Sequence, residues 1–380
     1  MNGFDFSVRR LGAPLHAAAH SHHPWPDVSR AAQIACWDDA ARLLDRKWDH
    51  IFGEVMPAAQ RHIARQLALP DPATIAFGPN THSLVLRILS CFPAGKPIRI
   101  LTTGSEFHSF SRQCARIEED GMAQVTRIST EPFDTFEARF AEAARKGGHD
   151  LVFFSQAYFD SGFCVRDPKA IADAVRDPET FVVIDGYHGF MAVPTDLSAI
   201  AGRAFYLAGG YKYAMAGEGV CFLHCPPGYG MRPRDTGWYA GFSALEGKQA
   251  GVGYGAGGTR FLGATFDASG LYRFNAVQDW LGRENKTVAS MLAQVRSIER
   301  SFLSEIAEKK GRIAPEMLMV PNEAVRARFL AFRTEDAGAI AEDLLKQDII
   351  VDFRGDRLRV GFGIYHTPDD ANALADALAS

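Results

Sequence analysis

Three absences narrow this 380-residue chain before any motif is read. No stretch of eighteen apolar residues occurs, and the start Met1-Asn2-Gly3-Phe4-Asp5-Phe6 lacks the basic residues and apolar core of an export leader. Neither membrane spanning nor secretion is expected, and a cytoplasmic location is. Lys and Arg are scattered and the net charge is −4, so no basic run exists to track the phosphates of a nucleic acid or a membrane surface. The six cysteines (Cys36, Cys91, Cys114, Cys164, Cys221 and Cys225) show no Cys-x-x-Cys spacing and sit mostly in apolar stretches, the pattern of buried free thiols. None follows Cys225.

What is present is core-forming material: 47% of residues are apolar and 23% charged, enough for a large buried interior. Length suggests two domains. Apolar runs at Ile98 to Thr102, Val125 to Ile128, Leu151 to Ser155, Phe181 to Asp185, Ala204 to Ala208 and Val220 to His224 read as strands. Helical spacing lies between several of them, at Phe133 to Arg145 and Pro168 to Val175. Strand and helix in alternation give an α/β fold with a mostly parallel, doubly wound sheet. From about Ala268 to Lys309 the pattern becomes one long helical connector. Beyond it, strands at Ala327 to Phe332, Ile349 to Phe353 and Leu358 to Phe362 and helices at Ala337 to Lys346 and Asp369 to Leu378 make a smaller α+β domain. The division expected is an N-terminal arm (1–30), a large domain (31–270), and a connector with a small C-terminal domain (271–380).

Two signals 27 positions apart carry the chemistry: Asp185, closing the run Phe181-Val182-Val183-Ile184, and Lys212, in Gly209-Gly210-Tyr211-Lys212-Tyr213. An acid at a strand end with a lysine in a small-residue turn is the pair a pyridoxal phosphate enzyme needs. The lysine forms the Schiff base, and the acid keeps the pyridine nitrogen protonated. Each residue also has an ordinary reading, Asp as a turn or helix cap and Lys as a solvated side chain over a ring. Context favours the chemistry. Asn80-Thr81-His82 after Gly78-Pro79 offers helix-start N–H groups and a hydroxyl to a phosphate, or else is a plain cap. Phe107 follows a strand and can stack on a flat ring, or else packs in the core. Gln156 and His188 also stand at strand ends, where ligands of open α/β sheets collect. Tyr211 and Tyr213 supply walls that favour a neutral amine.

Two patterns are set aside. His16, His20, His22 and His23 lack acidic or Cys partners and lie in a Pro-bearing arm, so no metal site is expected. Gly255-Ala256-Gly257-Gly258 has no preceding strand to make it a dinucleotide loop, and the stretch from Gly251 to Gly258 reads as a flexible loop.

With these residues the chain resembles the class V aminotransferase group of fold type I pyridoxal phosphate enzymes, and most closely the kynureninases. The likeness rests on Asp185-x-x-His188, Tyr211-Lys212-Tyr213, Gly237-Trp238, the run from Arg260 to Thr265, and Asp352-Phe353-Arg354 followed by Leu358-Arg359-Val360-Gly361. It implies that Lys212 is the Schiff-base lysine, Asp185 the pyridinium partner with His188 beside it, and Phe107 the stacking ring. It further implies that Thr81, Tyr211 and Trp238 serve the phosphate, that Thr265 reaches a partner's site in a homodimer, and that Arg359 clamps the substrate carboxylate. His22 and Tyr187 are substrate-side candidates. Two segments depart from the kynureninase pattern, His20-Ser21-His22-His23 and Ala264-Thr265-Phe266-Asp267, and both help shape the family's substrate pocket.

The activity implied is hydrolytic Cβ–Cγ cleavage of an amino acid that releases alanine. Lyase, epimerase or aminotransferase chemistry remains open on the same scaffold. A cysteine desulfurase would need a nucleophilic Cys shortly before the C-terminal Arg, and none is there. A non-catalytic binder would have no use for both Lys212 and Asp185.

Overall fold

The computed structural model describes residues 3–10, 12–244 and 251–379. The N-terminal arm holds a wide helical turn at Asp5–Arg10 and strand β1 (Leu15–His16), and is followed by helices α1 (Asp27–Leu43), α2 (Lys47–His50) and α3 (Met56–Gln66). The central unit then alternates: β2 (Ile75–Gly78), α4 (Thr81–Leu89), β3 (Ile98–Thr103), α5 (His108–Glu119), β4 (Ala123–Ile128), α6 (Phe133–Lys146), β5 (Leu151–Ser155), α7 (Pro168–Ala174), β6 (Phe181–Asp185), β7 (Ala204–Gly209) and β8 (Cys221–His224). Helices α8 (Ser269–Arg283) and α9 (Val288–Lys309) lead to β9 (Leu330–Arg333), α10 (Ala337–Leu345), β10 (Ile349–Ile350), β11 (Asp352–Arg354), β12 (Arg357–Val360) and α11 (Pro368–Ala379).

The seven central strands lie in the order β2-β8-β7-β6-β5-β3-β4. All neighbours run parallel except where β8 pairs with β2 and β7. Apolar residues on both faces dictate this burial: Val182 and Ile184 point into one core with Val152 and Phe154, while Val183 joins Phe153 and Leu207 in a second on the other face. Helices α4 and α5 cover the second face and α3, α6, α7 and α8 the first. Each large apolar side chain so buried stabilises the fold by about 1.5–3 kcal/mol. The chain leaves β3 toward β4 and returns to β5 on the other side of β3. The β3/β5 boundary is therefore the switch point, and its carboxyl end is where such sheets bind ligands.

Several expectations change in detail. The run from Ile349 to Phe353 is two strands, because Ile349 and Ile350 pair with the arm while Asp352 to Arg354 pair with β12. The connector is two helices. A break at residues 284–287 ends α8, and Thr287 caps α9 reciprocally with Ser290. β2 was not expected; it is a four-residue antiparallel edge strand hidden in a Gly-Pro turn signal. The glycines expected as a flexible loop pack closely at their end: a Cβ on Gly258 would lie 2.5 Å from the backbone of Ile75, and one on Gly257 2.5 Å from Ala73 O. They are there because only a bare backbone fits against β2. Among the described residues, no helix is long and apolar enough to cross a membrane.

Candidate active site

The crevice forms at the carboxyl ends of β5, β6 and β7. β6 ends in Asp185, and β7 runs into the turn that carries Lys212. Gly209 and Gly210 permit that turn, since a Cβ would lie 2.3 Å from Tyr187 Oη on the first and 2.4 Å from Val220 Cγ1 on the second. Lys212 is 5% exposed as a result. Its Nζ donates to the backbone oxygen of His20 at 3.2 Å and lies 2.8 Å from His188 Nε2. The rings of Phe107, Tyr187 and Tyr211 surround it, with centroids 5.7, 5.6 and 5.4 Å away.

Charge in this crevice is set mainly by burial. Desolvation, then the Arg359 guanidinium, draws the Lys212 amine down to about 7, against the pull of Asp185 and Asp352. A large share of Lys212 is thus neutral at physiological pH. Burial pushes Asp185 up to about 6, opposed by the Tyr187 N–H bonded to Oδ1 at 2.9 Å and by Lys212. His188 is held well below the ordinary imidazole range by burial, Lys212 and Arg359, and is a neutral ring.

The opposite wall comes from chain segments far apart in sequence. Arg359 on β12 is 3% exposed; Nη1 donates to Phe159 O at 2.5 Å and Nη2 pairs with the Asp352 carboxylate. Asp352 faces Arg359 because β11 and β12 are registered Asp352↔Arg359, and it also binds Arg354 at 2.7 Å. The arm lies along this small sheet: Ala19 N–H donates to Gly361 O at 2.9 Å, and β1 pairs with β10. His20 is fully buried, stacked on Phe329 at 4.7 Å and 18°. Neither of its ring nitrogens has a hydrogen-bond partner, although Nε2 is 3.7 Å from Asp352 Oδ2. Burial, followed by the charges of Arg359 and Lys212, keeps this imidazole neutral as well.

The structure therefore brings Lys212, Asp185, His188, Phe107, Tyr187, Tyr211 and Arg359 to one crevice. Thr81 starts α4 at its edge, its backbone N–H toward Cys221 Sγ, which is 3.5 Å from Tyr187 Oη. His22 is exposed and stacks on Tyr211 at 5.1 Å. Other expected residues lie outside this cluster, Thr265 among them, whose expected place is a partner's site. The oxygen of Asn80 serves as the α4 cap, accepting from Ser83 N–H at 2.8 Å, and His82 is exposed in a groove with His108 and Arg112. Gln156 turns to the sheet face away from Asp185, because alternation along β5 sends Ser155 one way and the next side chain the other. Its amide donates to Thr195 Oγ1 at 2.9 Å and accepts from Tyr206 Oη at 2.8 Å. Trp238 and Thr265 are exposed on a surface loop held to α4 through Arg87, and among the described contacts neither touches Lys212, His188 or Asp185. The four arm histidines disperse to Tyr365, Phe329, Tyr211 and Pro24 rather than converging.

Three residues in or beside the crevice carry no individual role in the sequence reading: His20 and Asp352, which enter it only within longer motifs, and Glu106, which bonds Thr103 and Ser155. Glu106 directly precedes Phe107 after a strand, which is a signal in itself. The contacts of Asp352 with Arg359 and of His20 with Phe329 follow from the β11–β12 register and the docked arm.

This donor set fits pyridoxal phosphate. It holds a buried, largely neutral amine, a buried carboxylate with one oxygen bonded and the other available, a ring face at Phe107, and the N-terminus of α4 with the Thr81 hydroxyl for a phosphate. The comparisons agree. The sequence profile of the aminotransferase class-V family matches residues 46–374. The isopenicillin N epimerase of Streptomyces clavuligerus is 25% identical over 368 residues, 89% of this chain and 88% of that protein. The cysteine desulfurase IscS of Aeromonas salmonicida is 24% identical over 185 residues, 47% of this chain and 45% of its own. Among solved structures, the cystine C–S lyase C-DES with its product cysteine persulfide superposes with a TM-score of 0.80 at 18% identity, covering 97% of this chain and 98% of that one. A C-DES variant with glycine covalently linked to its pyridoxal phosphate superposes at 0.79 and 17% identity, covering 99% and 98%. These relatives are not kynureninases and lend that narrower expectation no support. The chain belongs to the class V aminotransferase family, and its cofactor is pyridoxal phosphate.

Proposed function

We propose that this protein removes and returns the α-proton of an amino acid, acting as an epimerase or on a reaction that begins with the same step. The observation that carries the reading is the Lys212 amine, buried, drawn down to about 7 and 2.8 Å from a neutral His188. A neutral amine held near working pH is what a proton-transfer base requires. When bound, pyridoxal phosphate supplies an electron sink that acidifies the substrate's α-C–H. Lys212 Nζ takes that proton and His188 Nε2 holds the amine in line through their shared hydrogen bond. The Asp185 carboxylate stabilises positive charge at the strand end, and the rings of Phe107 and Tyr211 exclude water. Arg359 receives the substrate carboxylate, which must share or displace the internal carboxylate of Asp352.

Full-length similarity to an epimerase supports inversion at Cα as the outcome. A second reading, kynureninase-like hydrolysis of the Cβ–Cγ bond, is supported by Phe107, whose ring lies 5.7 Å from Lys212 Nζ where a flat cofactor ring could stack on it. Desulfurase chemistry is disfavoured by the lack of any Cys after Cys225. The protein is further proposed to be a homodimer that shares its sites. Trp238 (43% exposed), Phe242 (51%) and the exposed Thr265 form a surface suited to reach a partner.

The test is to incubate holoenzyme in D2O with a panel of amino acids, kynurenine and hydroxykynurenine included, and to analyse products by mass and chirality. Deuterium at Cα with loss of stereochemical purity supports epimerisation. Alanine released from kynurenine supports the second reading. A panel without α-exchange would refute α-proton chemistry on those amino acids.

A further inference from the structure

Glu106 is a buried acid that the chemistry above does not use. It is 3% exposed, and among the described residues no Lys, Arg or His pairs with it. It stands at the switch point. β3 and β5 are registered only at Ile100↔Leu151 and Leu101↔Val152. Beyond that, β3 continues along β4 to Thr103, while β5 continues along β6 to Ser155, opposite Asp185. The strands have parted there, and the Glu106 carboxyl group fills the gap. Oε1 accepts from Thr103 Oγ1 at 2.7 Å and from Ser155 N–H at 3.3 Å, and Oε2 lies 2.5 Å from Ser155 Oγ. A side chain replaces the missing ladder bonds.

What it ties together matters. The next residue, Phe107, is the N-cap of α5, has no side-chain cap bond of its own, and lies with its ring 5.7 Å from Lys212 Nζ. Ser155 is the sheet neighbour of Asp185. We propose that Glu106 is a positioning residue which, as a neutral carboxylic acid, clamps β3 to β5 so that Phe107 and Asp185 keep their places in the crevice. This rests on reading the crevice as the cofactor site.

The acid form suits the partners. As an acid, Oε1 is the carbonyl oxygen that accepts twice and Oε2 carries the proton to Ser155 Oγ. The titratable groups facing it are Asp185 on β6, the Tyr158 hydroxyl after β5 and Cys114 on α5; none is a cation. Burial pushes the carboxyl up to about 8, with the Ser155 and Thr103 hydroxyls pulling the other way and Asp185 adding to the rise. Between the ordinary Glu range and that value the native state keeps a proton that the unfolded chain has released. The clamp's contribution therefore falls as pH rises through this window and levels off above it.

The experiment compares Glu106→Gln with Glu106→Ala in the holoenzyme. Gln offers a carbonyl where Oε1 accepts and an N–H donor where Oε2 carries the proton. At pH 7, Glu106→Gln should keep the wild-type cofactor absorption band and kcat/KM within about 3-fold. Glu106→Ala should shift the band and lower kcat/KM by about 10-fold or more. The melting temperature of Glu106→Gln minus that of wild type should climb between about pH 5.5 and 8 and level off above. A constant difference would overturn the neutral-acid assignment, and an Ala variant with wild-type band and kinetics would overturn the positioning role. If the Ala variant does not fold, the Gln pH series decides. Absence of any cofactor band in the wild type would instead refute the cofactor site.

Discussion

The two walls of the crevice are built differently. The sheet wall, Asp185, Lys212, His188 and Phe107, comes from the carboxyl ends of β6, β7 and β3 in one sheet, so its geometry is inherited from a mostly parallel sheet buried on both faces. The facing wall, His20, Asp352 and Arg359, is assembled from an arm and a small sheet more than 330 residues apart in the chain. In the proposed reading the first wall carries the cofactor chemistry and the second meets the substrate. A protein built this way can keep its cofactor while its substrate wall is rebuilt.

The contrast is tested first where the effect is largest. Lys212→Ala should lower kcat/KM by more than about 10³-fold, the scale of losing a positioned base, in a protein that still melts cooperatively. Near-normal turnover would remove Lys212 from the chemistry. On the other wall, Arg359→Ala should raise KM by about 10–100-fold, as expected for losing a charge-assisted bond of about 1.5–3 kcal/mol, and leave the cofactor bound. Loss of cofactor in that variant would show that the walls are not separate.

Two smaller effects sharpen the division. Gly361→Ala would place a Cβ 2.3 Å from His20 Nδ1, so the arm must shift at an overpacking cost of about 1–3 kcal/mol. It should speed proteolysis of the arm and raise KM several-fold while sparing the cofactor band, and an unchanged digestion pattern would count against the docked arm. The rate at which apoenzyme captures pyridoxal phosphate should rise about 10-fold from pH 6 to 8. The amine is protonated below its value of about 7 and nucleophilic above it. A flat profile would contradict the lowered amine.

Legibility in the sequence followed the same divide. Short-range order was readable: the boundaries of Leu151–Ser155 and Phe181–Asp185 are those expected, and the Asp185 and Lys212 signals sit beside the elements that place them. Gln156 bonds Thr195 and Tyr206 because strand alternation continues one residue past β5, and position alone does not say which face a strand-end side chain takes. The edge strand Ile75–Gly78 stayed hidden because its pairing is with residues 221–224. The pairing of Asp352 with Arg359 depends on a register, and the burial of His20 on an arm docked across the small sheet. No local pattern encodes either.

Lys212 is the residue proposed to hold the cofactor. Reducing the holoenzyme with borohydride, digesting it and mapping the modified peptide by mass spectrometry tests this directly. A single pyridoxyl adduct is expected on the peptide containing Lys212, absent in Lys212→Ala. An adduct on another lysine, or none, would contradict it.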